Sequence, residues 1–362
     1  MYTAVQYYFY DENYTELLDW NVSEHVCQDV VLPLSHIYLP LFYFLIFFTG
    51  VSGNFFVIAV MCGKHKSSRL VDTFVANLAM ADLVFVFTLP LWAVSAAHHH
   101  RWDFGNALCK LSSYIIAVNR FSNIFFLTCM SADRYLAVVR LLDSRFLRTG
   151  RGVQLTCGAV WVSSLLLGVP SLVFRGVVHH TGDDLCVEDR ESPVFLGLSL
   201  ASFFLAFLLP VAVILFCYGS ILARLRHHRV PRNPQRDTRR RHSLKIVFAI
   251  VAAFLVSWLP FNTLKGVLMG SRVLGVTLSC KTHNLLAHGL ILSSCLAFFN
   301  SCANPIIYLL LDRHFQSRAR GFCFGGLGLY QGASHTPSVG ASDTHSGSAI
   351  SRTRLSSINL SK

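Results

Sequence analysis

Asn54, Asp82, Asn119, Arg120, Asn123, Asn300 and Asn304 stand in stretches of this chain that are otherwise apolar. A polar side chain inside a hydrocarbon layer is costly unless something satisfies it, so each of these residues needs a partner or a purpose. Asn119 and Asn123 are four apart, as are Asn300 and Asn304, so each pair lines one face of a helix. Turned inward, the amides surround Asp82. A carboxylate ringed by amide oxygens and water offers the hard ligands that suit a sodium ion. A hydrogen-bonded packing network without an ion accounts for the same spacing, and the two readings stand level.

Arg120 is the least expected of the set. It follows Cys109 by eleven residues, which on a helix places it roughly 16 Å deeper along the axis. Either it pairs internally with Asp82, or it is a cationic anchor at the floor of an outward-opening cavity. A planar guanidinium can grip a ligand carboxylate through two hydrogen bonds.

The elements that position these residues follow from composition. Of 362 residues, 53% are apolar and only 14% charged, 29 are phenylalanine, and the mean hydropathy is +0.49. A soluble fold has too little interior for that much apolar surface, and disorder, collagen-like repeats and a disulfide-stapled mini-domain are excluded. Charge-free gaps separate Asp29 from Lys64, Arg151 from Arg175, Glu191 from Arg224, Lys245 from Lys265 and Lys281 from Asp312. Two more apolar stretches carry one charge each, Asp82 and Arg120. A helix crosses the hydrocarbon core in roughly 20 residues. The fold class is therefore an all-α membrane protein, a seven-transmembrane helix bundle with spans near 37–62, 71–97, 107–140, 152–174, 193–226, 240–270 and 283–311.

Orientation follows from the basic residues. Residues 1–63 hold no Lys or Arg, whereas Lys64, Lys66, Arg69, Arg140, Arg145, Arg148, Arg151 and the run RLRHHRVPRNPQRDTRRRHSLK all fall on one face. Positive loops stay inside, so the N-terminus is expected outside and the C-terminus in the cytoplasm. The formal charge of +12 is then a topology signal beside anionic membrane lipid, not a nucleic-acid patch. No cleavable leader is evident in MYTAVQYYFYDE, so the first span is expected to serve as the insertion signal.

The domain plan is an acidic, tyrosine-rich arm over 1–36, the bundle over 37–311, an amphipathic eighth helix over 312–323 and a disordered Ser/Thr-rich tail over 324–362. The arm carries glycosylation sequons at Asn13 and Asn21. Cys323 follows the amphipathic stretch in a setting suited to palmitoylation. Cys27, Cys109, Cys186 and Cys280 fall on the outer side, where oxidation is permitted. His98, His99 and His100 with His179 and His180 read as solvated loop residues before they read as a metal site. Pro90, Pro170, Pro210, Pro260 and Pro305 fall in five different spans, and each removes a helical hydrogen bond and loosens its helix.

Together these features resemble a class A (rhodopsin-like) G-protein-coupled receptor. The resemblance runs over roughly 37–322 through GNFFVIAV with Asn54, NLAMADL with Asp82, Cys109, Asp133-Arg134-Tyr135, Trp161, Pro210 with Tyr218, Trp258-Leu259-Pro260 and Asn304-Pro305-Ile306-Ile307-Tyr308. Thr88-Leu89-Pro90 before Trp92, the DRYLAVV stretch and the Cys27/Cys280 pair are similar to the chemokine and chemoattractant branch, and further runs to an orphan-type pair within it. The resemblance implies disulfides Cys109–Cys186 and Cys27–Cys280 and a ligand cavity lined by Trp92, Tyr114, Arg120, Trp258, Lys265 and Ser294. It implies a sodium site at Asp82, Asn119, Asn123, Asn300 and Asn304, as an optional allosteric ion with no cofactor required. It assigns the switch and G-protein coupling to Asp133, Arg134, Tyr135, Tyr218, Phe254, Trp258, Pro260, Asn304, Pro305 and Tyr308. The implied partners are an extracellular peptide or chemokine-like ligand, a heterotrimeric G protein of the inhibitory class, arrestin and receptor kinases acting on hydroxyls such as Ser334 and Thr336, and membrane lipid.

Two positions depart from that branch. Ser294 stands where many chemokine receptors carry a ligand-gripping glutamate, and Arg240 replaces an acid that can lock Arg134. Other classes fit less well. A retinal protein needs a lysine within Thr282–Leu311, which has none; a transporter or channel needs a continuous polar path; and no catalytic constellation marks an enzyme. A receptor for a small anionic lipid or metabolite, bound directly by Arg120, is the remaining alternative, with a membrane transporter behind it.

Overall fold

The structure, a computed structural model, describes residues 32–62, 70–139, 149–180, 182–189, 192–227 and 234–326. Ten α-helices follow one another among these residues. They are α1 (Ser35–Cys62), α2 (Leu70–Val86), α3 (Leu89–Ala97), α4 (Gly105–Val138), α5 (Gly150–Val173), α6 (Pro193–Phe203), α7 (Leu209–His227), α8 (Pro234–Val273), α9 (Cys280–Leu311) and α10 (Arg313–Gly326). A hairpin of β1 (Arg175–His180) and β2 (Asp183–Glu188) joins α5 to α6. Seven stretches are long and apolar enough to cross a membrane, and they correspond one to one with the spans expected from the charge gaps. Only the sixth departs visibly, because α8 starts earlier, at Pro234.

Burial follows position in the bundle. Spans two, three and seven bury the largest share of their residues, and spans four and five the smallest. The outward-facing side chains of these lightly buried spans are nonetheless apolar, among them Leu155, Leu166 and Phe216. In water such a surface would drive aggregation; against lipid it costs nothing. The largest inner cluster joins Val57, Leu78, Leu127, Phe254, Trp258 and Tyr308 from five different spans.

Proline shapes two spans. Span two breaks at Phe87 and Thr88, between α2 and α3, just ahead of Pro90. The Phe85 carbonyl accepts both the Thr88 hydroxyl at 2.7 Å and the Thr88 backbone N–H at 2.9 Å, closing a tight turn at the break. In span five a π-helical turn, Phe204–Leu208, separates α6 from α7 just before Pro210. A proline has no N–H to offer and its ring crowds the preceding turn, and a widened turn relieves both defects.

The eighth helix is present. Asp312 caps it, its Oδ1 accepting from the backbone N–H of His314 at 2.9 Å and of Phe315 at 3.2 Å. Its inner face packs Phe315 against Tyr308 and Phe56. Arg318 reaches across to the bundle, donating to Asp72 Oδ2 at 2.8 Å and to the carbonyls of Val60 at 3.0 Å and Met61 at 2.9 Å. The guanidinium thereby satisfies carbonyls left open where α1 ends, while its charge meets the Asp72 carboxylate in the first turn of α2.

Candidate functional site

Asp82 lies fully buried at mid-bundle, and its carboxylate accepts four side-chain hydrogen bonds. Asn119 Nδ2 donates to Oδ1 at 2.9 Å, Asn123 Nδ2 at 3.0 Å and Ser301 Oγ at 2.8 Å, while Asn304 Nδ2 donates to Oδ2 at 3.1 Å. Asn54 joins from span one by donating to the Ser301 carbonyl at 2.9 Å. Three spans thus meet on one carboxylate, and a fourth is attached through Ser301. Four of the five expected residues are here. The fifth, Asn300, contributes nothing to Asp82: its Oδ1 is buried without a partner among the described residues, and the neighbouring Ser301 supplies the bond instead. A hydroxyl gives no hydropathy signal, so the spacing argument passed over it.

The cluster also tests whether a cation fits. The amides turn their N–H groups to Asp82, which leaves Asn123 Oδ1 and Asn304 Oδ1 buried with no hydrogen-bond partner. Orphaned amide oxygens beside a carboxylate are the donor set a hard cation or ordered water would complete.

Arg120, the next residue after Asn119, faces elsewhere. It makes no ion pair with Asp82, and its guanidinium lies 4.6 Å from the Phe121 ring centroid. It lines a solvent-open cavity of about 730 Å³ including its mouth, walled by Phe195, Phe203, Phe207 and Met269 and floored by Phe254 and Trp258. A second lobe of about 460 Å³ adds Trp92, Ser113, Ile116 and Arg175. Both lobes share Arg120, Ser171, Glu188, Trp258 and Lys265. The apolar walls and the few convergent charges are those of a ligand site.

The β-hairpin closes this end. The Cys109–Cys186 disulfide ties β2 to the start of α4. Arg175 is buried, stacks 5.4 Å from the Trp92 ring and faces Glu188 at 3.6 Å. At the other end of α4, Asp133 and Arg134 form an ion pair at 2.6 Å.

Comparison with known proteins decides what kind of molecule this is. Residues 53–308 match the model of the family described as 7 transmembrane receptor (rhodopsin family). The chain belongs to the rhodopsin family of seven-transmembrane receptors. It is 41% identical over 317 residues to Probable G-protein coupled receptor 25 of Mus musculus, covering 84% of this chain and 86% of the relative. It is similar to Apelin receptor A of Danio rerio at 39% identity over 321 residues, covering 84% and 88%. G-protein coupled receptor 15 of Mus musculus is 37% identical over 285 residues, covering 78% of each. These relatives are receptors and not enzymes.

The receptor places the expected ligand residues unequally. Arg120, Trp92, Trp258 and Lys265 line the cavity. Tyr114 turns to span four instead, its hydroxyl donating to the Leu165 carbonyl at 3.1 Å. Ser294 is buried and donates to the Ile291 carbonyl at 2.7 Å, and it lines neither lobe. Arg175 and Glu188 also line the cavity; neither was expected there, because both belong to the hairpin rather than to a span.

The expected switch residues are spread over spans three, five, six and seven. Phe254 and Trp258 stack at 6.1 Å in α8, which also contains Pro260, and Tyr218 meets Phe248 edge-on at 5.7 Å. Tyr135 packs on Phe216, while Pro305 sits inside α9 between Asn304 and buried Tyr308. Trp161 Nε1 donates to Asn77 Oδ1 at 2.9 Å, joining spans four and two. Cys280 is disulfide-bonded; Cys27, its expected partner, lies outside the described residues, as do Asn13, Asn21 and the tail hydroxyls. Cys323 is a free, exposed thiol on α10.

Proposed function

We propose that this receptor lies in the plasma membrane with residues 1–36 outside, and that it binds a peptide or chemokine-like ligand whose anionic tip enters the cavity. One observation carries the reading. Arg120 stands half-buried at the cavity floor and makes no ion pair among the described residues. A desolvated guanidinium with no carboxylate partner is an anchor for one, and a free peptide C-terminus supplies it. Outside, the acidic arm offers the opposite charge, with Asp11, Glu12, Glu16, Asp19, Glu24 and Asp29. Charges of opposite sign at two depths suit a basic ligand body with an acidic end. The relative named as an apelin receptor adds support for a receptor with a dedicated extracellular ligand.

Signalling then runs through a heterotrimeric G protein of the inhibitory class. A ligand signals only if it binds one helix arrangement better than the other. Contact with Trp258 and Phe254 biases span six about Pro260, its far end swings outward, and Arg134 exchanges Asp133 for the G protein. Sodium among Asp82, Asn119, Asn123 and Asn304 favours the closed arrangement, and phosphorylation of the tail by receptor kinases recruits arrestin. Palmitate on Cys323 fastens α10 to membrane lipid.

The test is a ligand screen in cells, read as G-protein dissociation, with the wild type, Arg120→Ala and a 1–30 deletion side by side. A peptide ligand loses potency on both variants. A small anionic metabolite, the rival occupant favoured by the same Arg120, loses potency only on Arg120→Ala. Normal potency on Arg120→Ala at normal surface expression removes the anchor.

A further inference from the structure

The two lobes of the cavity differ in the hydrogen bonds they have left to give. Ser199 and Ser202 stand on the cavity side of α6 and line the first lobe. A serine in a membrane span can satisfy itself by donating to a carbonyl three or four residues back. Ser122 does so to Asn119 at 3.1 Å, Ser131 to Leu127 at 2.8 Å and Ser164 to Val160 at 2.7 Å. Neither Ser199 nor Ser202 makes a hydrogen bond among the described residues. Asn262 faces the same lobe from span six; its Nδ2 donates to the Trp258 carbonyl at 2.8 Å, which leaves its Oδ1 as an acceptor. The second lobe adds Trp92, Ile116 and Ala117, and the polar groups found only there are engaged. Ser113 donates to the Cys109 carbonyl at 2.7 Å, and Arg175 is held by Trp92, Glu188 and the Cys186 carbonyl. Ser171 and Arg120 line both lobes.

We infer that the two lobes divide the end of a peptide between them, with Ser199, Ser202 and Asn262 binding the last peptide group and Trp92, Ile116 and Ala117 enclosing the last side chain. The inference rests on the carboxylate-anchor reading above and specifies what the carboxylate is attached to. The α-carbon beside a peptide's terminal carboxylate bears two further groups, an acylamino chain and a side chain, and its tetrahedral geometry sends them apart. With the carboxylate on Arg120, which both lobes share, each group enters one lobe. A peptide group taken out of water needs both its N–H and its C=O paired. A hydroxyl donates to the C=O or accepts from the N–H, and an amide oxygen accepts from the N–H, so the first lobe meets both needs. The second lobe has only engaged polar groups of its own, and its apolar walls suit an apolar side chain. Exchanging the two groups on the α-carbon puts each in the wrong lobe, so the site distinguishes an L residue from its mirror image.

The probes are small acids titrated into the full-length purified receptor while the melting temperature is read, because a bound ligand raises it with concentration. N-acetyl-L-leucine carries carboxylate, peptide group and side chain; 4-methylpentanoic acid lacks the peptide group; N-acetyl-D-leucine exchanges it with the side chain. The L form is expected to stabilise the wild type at about a tenfold lower concentration than either of the others. Ser199→Ala with Ser202→Ala is expected to lose the advantage over 4-methylpentanoic acid, whereas Ser199→Thr with Ser202→Thr, which keeps the hydroxyls, retains it. Each single alanine variant loses part of it and decides the matter if the double variant does not fold. An advantage that survives in the alanine variants, is missing from the wild type or is shared by the D form overturns the division between lobes. It leaves the anchor standing where 4-methylpentanoic acid still outperforms its uncharged amide and Arg120→Ala responds to neither. An amide as effective as the acid, a full response by Arg120→Ala, or no response to any probe up to its solubility overturns the anchor and the division together.

Discussion

Asn119 and Arg120 are neighbours on one helix, and they enter opposite environments. Asn119 belongs to a closed network in which a buried carboxylate accepts four bonds from three side-chain amides and a hydroxyl. Arg120 belongs to an open cavity and makes no ion pair among the described residues. A helical step of about 100° is enough to separate them. Both residues are polar groups placed deep in a membrane span, and hydropathy alone treats them alike. Satisfaction tells them apart: the Asp82 carboxylate has its donors in place, whereas the Arg120 charge faces a cavity with no ion-pair partner among the described residues.

The largest effect expected from this contrast is on stability, in the closed region. Asp82→Ala removes the acceptor of four buried donors at once, and at about 1 kcal/mol or more for each donor left unmade the loss is on the order of 4 kcal/mol. A steep drop in melting temperature of the purified receptor checks it. Asp82→Asn, which keeps one acceptor oxygen, loses less. Agonist affinity of the wild type should fall as sodium is added and that of Asp82→Asn should not. Equal indifference in both would leave the network standing and remove the ion.

Arg120→Ala should do the reverse. No partner is orphaned, so the melting temperature holds or rises, while potency of an anionic-tipped ligand falls by about 100-fold, within the range for deleting one side of a desolvated charge pair. A variant that lost stability and kept potency would erase the distinction between the two regions.

Much of this was legible in the sequence. Five charge-free gaps and two apolar stretches with one charge each located all seven spans, because the hydrocarbon core imposes a length that no soluble helix must meet. Helical spacing brought Asn119, Asn123 and Asn304 to Asp82 because residues four apart share a face. Spacing left Arg120 open between Asp82 and a ligand; the packing gives Asp82 other donors and puts Arg120 on the cavity side. The hairpin was not legible. Arg175–His180 and Asp183–Glu188 are too short for a periodic signal, and their register depends on Gly182 at a positive φ and on a disulfide to a distant helix. Tyr114 and Ser294 failed for a related reason. Each sits at a depth suited to the cavity, but depth does not say which way a side chain turns, and each finds a backbone carbonyl instead.

The smallest effect sharpens the contrast within the closed region itself. Ser301 gives its hydroxyl to Asp82 and its carbonyl to Asn54, whereas Asn300 keeps a buried oxygen unpaired. Ser301→Ala deletes one made hydrogen bond to a carboxylate and is expected to cost about 1.5 kcal/mol. Asn300→Ala deletes an amide whose Oδ1 has no partner, so the volume it gives up is offset by the polar atom no longer buried, and the loss should be smaller. Parallel melting curves of the two variants read the difference directly. The reverse order would mean that Asn300 turns toward Asp82 and that the simple four-residue spacing had found the right residue. The expected order means that, within the closed region, what a polar group adds to stability follows the hydrogen bonds it actually makes.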